Sequence, residues 1–226
     1  MQIDARLQAI AKFVPQGARL ADIGTDHAYL PAFLLKEKKI AFAIAADVAA
    51  APCKVAKTTL AMQGVSVVAQ VRQGDGLKVL RPGECDTIVM AGMGGTTIME
   101  ILTASPEVAK SAKRLILQPM IAADKLRRFL EDEGYGIVAE DLVEDGKYLY
   151  EIIVATAGAP VTVAAGVGYL LGPKLLQEQH PLLPKQIAKQ KDILLRVCAG
   201  MEQSPEAINS EKYKETKCLL KMLSKL

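Results

Sequence analysis

The chain is predicted to be an α/β protein: a doubly wound parallel sheet whose last strand is reversed, followed by an α-helical hairpin. Three observations carry this expectation. Half of the 226 residues are apolar, yet aromatic residues make up only 4% and Trp is absent. The core must therefore be built from Ala, Val, Ile and Leu, the composition of strands buried on both faces by helices. Short apolar runs alternate with helical patterns along the first two-thirds of the chain, the order that generates parallel βαβ units. Several of those runs end in Asp or Gly, and ligands of such sheets bind outside the carboxyl ends of the strands.

Leu7, Ile10, Ala11 and Val14 follow helical spacing, and Pro15-Gln16-Gly17 stops that helix. Leu20-Ala21-Asp22-Ile23-Gly24 reads as a strand and turn, with a helix opening directly after Gly24 and running to about Lys39. A second strand covers 41–46 and ends at Asp47, the next helix runs over 49–62, and Gly64 closes it. The spacing predicts a third strand over 65–71 before the turn Gln73-Gly74-Asp75-Gly76, and a fourth over 85–91 that runs into Gly92-Met93-Gly94-Gly95. Leu115 to Leu117 form the heart of a fifth strand ending in Gln118-Pro119, and 122–133 is helical with Gly134 as its stop. Strands over 135–142 and 148–155, joined at Glu144-Asp145-Gly146, are expected to pair antiparallel.

Residues 157–172, rich in Gly and Ala, read as a crossing segment. Beyond them Ile187, Leu194 and Met201 repeat at sevens with Leu183 and Val197 in the offset, and Leu219, Met222, Leu223 and Leu226 mark a second helix after Ser204-Pro205. Each helix is too short for a free-standing coiled coil, so an antiparallel, coiled-coil-like hairpin is expected. The division is a sheet domain over 1–160 and a helical extension over 161–226, compatible with a monomer.

The net charge is +3, and 173–226 holds ten basic residues against six acidic ones. That excess is a mild pointer to a polyanionic partner. Cys53, Cys85, Cys198 and Cys218 are widely spaced and the chain has two His, which argues against a zinc site or disulfide framework and for a cytoplasmic home. No run of about 18 apolar residues occurs, so no membrane partner is expected.

The chemistry concentrates at the strand ends. A dinucleotide site needs G-x-G-x-x-G, but the second and third Gly positions after Gly24 hold Asp26 and Tyr29. The carboxylates of Asp22 and Asp26, flanking the turn, would repel a pyrophosphate, yet suit a cofactor carrying an ammonium and a sulfonium. That combination points to S-adenosylmethionine and away from a nicotinamide dehydrogenase. Asp22 and Asp26 would hold its methionine end, and His27 would touch the same ligand or cap the helix. Asp47, with Val48 beside it, sits where a carboxylate can take both ribose hydroxyls; a helix N-cap is the alternative. Asp75, flanked by Gly74 and Gly76, could accept from the adenine amine, or simply make a turn. Gly92, Met93 and Gly94 leave bare backbone where a substrate base or a transferable methyl must come close.

The strings DIGTDHAYLP (Asp22 to Pro31), GDGL (Gly74 to Leu77), DTIVMAGMGG (Asp86 to Gly95) and LILQP (Leu115 to Pro119) resemble the bacterial tRNA N1-adenine methyltransferases that modify adenine 22. The similarity runs from the N-terminus through the strand hairpin, and LLGP (Leu170 to Pro173) resembles the start of that family's helical extension. The resemblance implies a class I methyltransferase (Rossmann-like) fold, S-adenosylmethionine as donor, and a C-terminal hairpin that helps to hold tRNA. Asp26, Gly94 and Gln118 then fall to the catalytic step, and Tyr29, Pro119 and Met120 to the target base. Lys189 and Arg196, with Lys185, Lys191, Lys212, Lys214 and Lys217, fall to tRNA phosphates. One departure is Met120, where the family usually has Asn: Asn could hydrogen-bond the base, whereas Met can only pack on it. A methyltransferase acting on a small molecule or protein, or a cofactor- or RNA-binding protein disabled at Met120, are the rival expectations.

Overall fold

The computed structural model describes residues 1–161, 164 and 166–226, which fall into two compact units, Met1–Thr162 and Val163–Leu226. The first begins with α1 (Ala5–Phe13), β1 (Ala18–Ile23), α2 (Tyr29–Lys36), β2 (Ile40–Asp47) and α3 (Ala50–Met62). It continues through β3 (Ala69–Gln73), β4 (Thr87–Met93), α4 (Gly95–Ala104), α5 (Pro106–Ser111), β5 (Arg114–Pro119) and α6 (Ala123–Asp132). The hairpin β6 (Tyr135–Asp145) and β7 (Tyr148–Ala157) completes it.

The seven strands lie in the order β3-β2-β1-β4-β5-β7-β6. β1 to β5 are mutually parallel, and β7 runs antiparallel to both β5 and β6. The reversed strand expected at the chain's end is therefore inserted between β5 and β6. Strand order changes direction between β1 and β4, the switch point where a crevice opens in such sheets.

Each face buries its own apolar cluster. Ile10 of α1, Leu34 of α2 and Leu60 of α3 pack on one side, and Ile98 and Leu102 of α4 with Leu126 and Leu130 of α6 on the other. α1 begins where the Asp4 carboxylate accepts from Leu7 N at 2.7 Å, a cap worth about 1 kcal/mol.

Two local expectations are corrected. Val65 to Val68 are not strand: Ser66–Val68 form a 3-10 turn and β3 starts at Ala69, paired with Ala43 of β2. The chain leaving α3 at the left-handed Gly64 must turn before it can align on this edge, so Val67 is left exposed. Nor does α2 open directly after Gly24. The amides of Gly24 and Thr25 both donate to Ala46 O, at 2.8 and 3.0 Å, and Ala28 N donates to the Thr25 hydroxyl at 3.1 Å. Ala28 sits at φ 54°, and the helix begins only at Tyr29. Those amides are therefore spent on the fold, not presented to a ligand.

The second unit contains α7 (Gly168–Leu171), α8 (Pro173–Gln177), α9 (Leu183–Met201), α10 (Pro205–Ile208) and α11 (Glu211–Leu223). Leu171, Leu194 and Leu223 form its buried centre, with Leu183, Ile187 and Leu219 packed around them. Glu202 at the end of α9 meets Tyr213 and Lys217 of α11, so the two long helices run antiparallel, as expected. Met222 and Leu226, assigned to the apolar seam, are instead exposed; Leu220 packs against the core on that turn. Residues 162, 163 and 165 of the expected crossing segment lie outside the described residues.

One buried charge of the first unit, that of Arg127, is compensated within the fold. Arg127 of α6 is fully buried and donates to Glu140 of β6 at 2.6 Å and Glu151 of β7 at 2.8 Å. Removing one member of such a group strands the others, at a cost of about 3–5 kcal/mol. Arg127→Met should lower the unfolding free energy in urea by that amount, and apolar replacement of all three residues should cost less.

Candidate active site

Two cavities open at the carboxyl ends of the parallel strands and meet at Gly24. The first, about 390 Å³, is rimmed by Asp47 and Val48 after β2, Asp75 and Gly76 after β3, and Met93 at the end of β4. The second, about 370 Å³, is lined by Asp22, Asp26, His27 and Tyr29 from the β1–α2 segment, Gly92 from β4, and Arg6 from α1. Gly24 is required where they join: it sits at φ 76°, and a Cβ there would lie 2.5 Å from Met93 Cε.

In the first cavity, Asp47 accepts from Ala49 N at 2.8 Å through Oδ1. That bond tethers the start of α3 without a formal side-chain cap on it, and the carboxylate retains acceptor capacity. Asp75 is ion-paired with Lys78 at 2.6 Å, both side chains being more than half exposed. Such a pair is worth at most about 1 kcal/mol and yields readily to a better partner. Gly76 sits at φ 52°, against Ile101.

The second cavity carries the perturbed acid. Asp22 is buried, which pushes its carboxyl up to about 6, while a hydrogen bond from Thr25 and the charge of Arg6 pull the other way. A buried carboxylate lacking a full counter-charge beside a cavity is chemically suited to a cationic partner. Asp26 is largely exposed at the rim and bonded to His27 Nδ1 at 2.8 Å. The His27 ring stacks on Tyr29, centroids 5.0 Å apart and planes 17° from parallel, and Tyr29 is 46% exposed.

Arg6 has no local sequence signal, and it was not among the expected site residues. Its Nη1 donates at 2.9 Å to Gln118 Oε1, which also accepts from Gly92 N at 3.0 Å. Gln118 is fully buried, and its Nε2 donates to Pro119 O at 3.2 Å and lies 3.6 Å from Met120 Sδ. With both ends engaged it supports the site's walls. Pro119 is buried in the same strand end, whereas the Met120 side chain is 46% exposed.

The glycines after β4 divide by cause. Gly92 has φ 77°, which favours Gly for backbone reasons. Gly95 cannot hold a Cβ because it would meet Ala122 O at 2.5 Å. Gly94 has ordinary dihedrals, φ −67° and ψ 145°, and a Cβ there would find Ile121 at an unstrained 3.7 Å. The fold does not ask for Gly at 94. Lys189 and Arg196 lie one heptad apart on α9 of the second unit, with Arg196 ion-paired to Asp192. Among the described residues, no group of three or more His, Cys, Asp or Glu could hold a metal ion, and no helix is long and apolar enough to cross a membrane.

Comparison with known proteins places these features in context. Residues 3–153 match the methyltransferase domain family. The chain is 36% identical over 219 residues to the tRNA (adenine(22)-N(1))-methyltransferase of Bacillus subtilis, covering 95% of this chain and 91% of that protein. The crystal structure of the B. subtilis m1A22 tRNA methyltransferase TrmK superposes with a TM-score of 0.82 at 34% identity, over 99% of this chain and 95% of that one. A Streptococcus pneumoniae protein solved in complex with S-adenosyl-L-methionine gives a TM-score of 0.84 at 34% identity, over 97% of this chain and all of that one.

Adding a methyl group at the two adjacent glycines should separate their roles. Gly95→Ala should destabilise the protein by more than about 1 kcal/mol, and Gly94→Ala should leave the denaturation midpoint within error of the parent.

Proposed function

We infer the activity from lineage and site together: the chain belongs to the tRNA (adenine(22)-N(1))-methyltransferase family, and it transfers the methyl group of S-adenosylmethionine to N1 of adenine 22 in tRNA. The observation that carries this reading is the pair of cavities meeting at Gly24, one rimmed by Asp47 and Asp75 and the other by Asp22 and Arg6. That division matches a ligand with a nucleoside at one end and an amino acid at the other. When bound, S-adenosylmethionine supplies an electrophilic methyl group on a sulfonium.

The residues divide the work by charge and shape. The Asp47 carboxylate, beside Val48, is suited to the ribose hydroxyls, and Asp75 to the adenine amine once Lys78 gives way. Asp22 balances the ammonium of the amino-acid end, and Arg6 its carboxylate. Gly24 and Met93 form the neck between the two halves. N1 of neutral adenine already carries a lone pair and no proton, so this chain need not supply a general base. Catalysis then rests on holding the two partners together, an effect worth up to about 7–11 kcal/mol. Asp26 at the rim faces positive charge developing on the base, and the stacked His27 and Tyr29 rings offer a platform for an adenine swung out of its helix. Gly94 lets the base approach bare backbone, and Met120, half exposed just after β5, packs against it. Gln118 acts as a positioning residue through Gly92 and Arg6.

The first unit thus carries cofactor and chemistry. The second supplies tRNA phosphate contacts through Lys189 and Arg196, and a tRNA substrate fits a cytoplasmic protein. Phosphate contacts of this kind make affinity fall with salt.

Two expected outcomes test the assignment. Gly94→Ala should retain S-adenosylhomocysteine binding and lose most methyl transfer to unmodified tRNA; full turnover would remove the close-approach role. Asp22 must give up its proton to pair with the ligand ammonium, which stays charged below about pH 7.7. Affinity for S-adenosylhomocysteine should therefore rise as pH is raised from 5 to 7, approaching tenfold per pH unit below the Asp22 value of about 6. In calorimetry Asp22→Asn should bind weakly with a flat pH profile.

A further inference from the structure

The hairpin β6–β7 is longer than the sheet needs. Pairing of β7 with β5 stops at Leu117↔Ile153, but pairing with β6 continues to Asp145↔Tyr148. Of those five further residues, Ile152 and Glu151 are still buried, so the projecting part is Tyr148 to Tyr150, at about 3.4 Å each roughly 10 Å of two-stranded ribbon. Because β7 is antiparallel to β5, this ribbon projects from the carboxyl ends of the parallel strands, the end at which both cavities open.

Alternation puts Tyr148 and Tyr150 on the same face as Ile152, which is buried with the α1-side cluster. On that face a cation, two rings and a second cation follow one another. The Arg6 guanidinium lies 5.7 Å from the Tyr150 ring centre, the Tyr150 and Tyr148 rings are 5.9 Å apart and tilted by 45°, and Lys147 Nζ lies 5.3 Å from the Tyr148 ring centre. Arg6 lines the second cavity, so the series starts at the site and leads outward to the hairpin turn. Tyr148 is 54% exposed, and a half-exposed aromatic on a projecting ribbon contributes little burial to the fold. Asp145, opposite Tyr148, puts an acid at the tip and ends the track there.

We propose that the projecting part of the β6–β7 hairpin is an RNA-binding track: Tyr148 and Tyr150 stack unpaired bases next to the target adenine, and Lys147 meets the adjoining phosphate, while Arg6, committed to the cofactor end, only anchors the inner ring. An exposed ring beside a half-buried one, flanked by a cation, is the chemistry of single-stranded and looped RNA recognition. This rests on tRNA as the substrate, and it adds a contact surface within the first unit that is separate from the basic helix α9.

The test compares the full-length parent with Tyr148→Ala, Tyr148→Phe and Lys147→Ala. Direct binding to unmodified tRNA, methyl-transfer KM and kcat, S-adenosylhomocysteine affinity and melting temperature are measured for each. Loss of one stacked base is expected to weaken tRNA binding at least about fivefold. Tyr148→Ala should show that loss in both binding and KM, with cofactor affinity and melting unchanged, and Tyr148→Phe should restore it. Lys147→Ala should reduce the salt dependence of tRNA binding. Tyr148→Ala binding tRNA within twofold of the parent would overturn the track while leaving the methyltransferase reading intact. A parent that binds tRNA through Tyr148 but transfers no methyl would overturn that reading and support the track. A parent with no affinity for tRNA would overturn both.

Discussion

The buried carboxamide of Gln118 is the joint on which the site hangs. An amide removed from water needs partners for both of its ends, and here the oxygen takes Gly92 N and Arg6 while the nitrogen turns to Pro119 O. One side chain of β5 therefore ties together the exit of β4 and the start of α1. The Gly92 turn held in this way leads through Met93, whose carbonyl accepts from Met120 N at 2.9 Å. It continues to Gly95, whose amide donates to Ile121 O at 2.9 Å. The loops after β4 and β5 consequently behave as one wall, and Met93 on that wall narrows the neck at Gly24. In the proposed reading cofactor and base both rest on that wall, so the Gln118 bonds would reach chemistry that Gln118 does not touch.

Two buried charges show how electrostatics separates structure from function here. Arg127 has a carboxylate on each side, and its guanidinium is held even more firmly charged than usual by Glu140 and Glu151. Asp22 is buried beside a cavity with only Thr25 and a more distant Arg6 to offset desolvation, and its carboxyl is raised to about 6. The first arrangement is complete without a ligand. The second lacks a full counter-charge of its own, and in the proposed reading a cofactor ammonium would supply it.

Much of the architecture was legible because it rests on local rules. Apolar runs ending in Asp22, Asp47 and the Gly92 turn became β1, β2 and β4, and the two cavities lie at those ends. The antiparallel hairpin followed from its turn. The less legible features depend on competition or on long range. A Thr hydroxyl and the Ala46 carbonyl claim the amides after Gly24 and delay α2 to Tyr29, which a motif read as strand, turn and helix does not reveal. Val65 to Val68 have strand composition, but the geometry of leaving α3 converts them into a turn. Arg6 looks like any charge on an amphipathic helix, and its partner lies 112 residues away. The three glycines after β4 look alike in sequence, and only the dihedrals and neighbours separate Gly94 from the other two.

The account stands or falls on the product. Unmodified tRNA transcripts that differ only in having adenine or guanine at position 22 would be incubated with the protein and methyl-labelled S-adenosylmethionine, then digested for nucleoside analysis. Label in 1-methyladenosine from the adenine-22 transcript alone is the predicted result. Label at another atom or nucleotide, equal labelling of both transcripts, or none with either would contradict it.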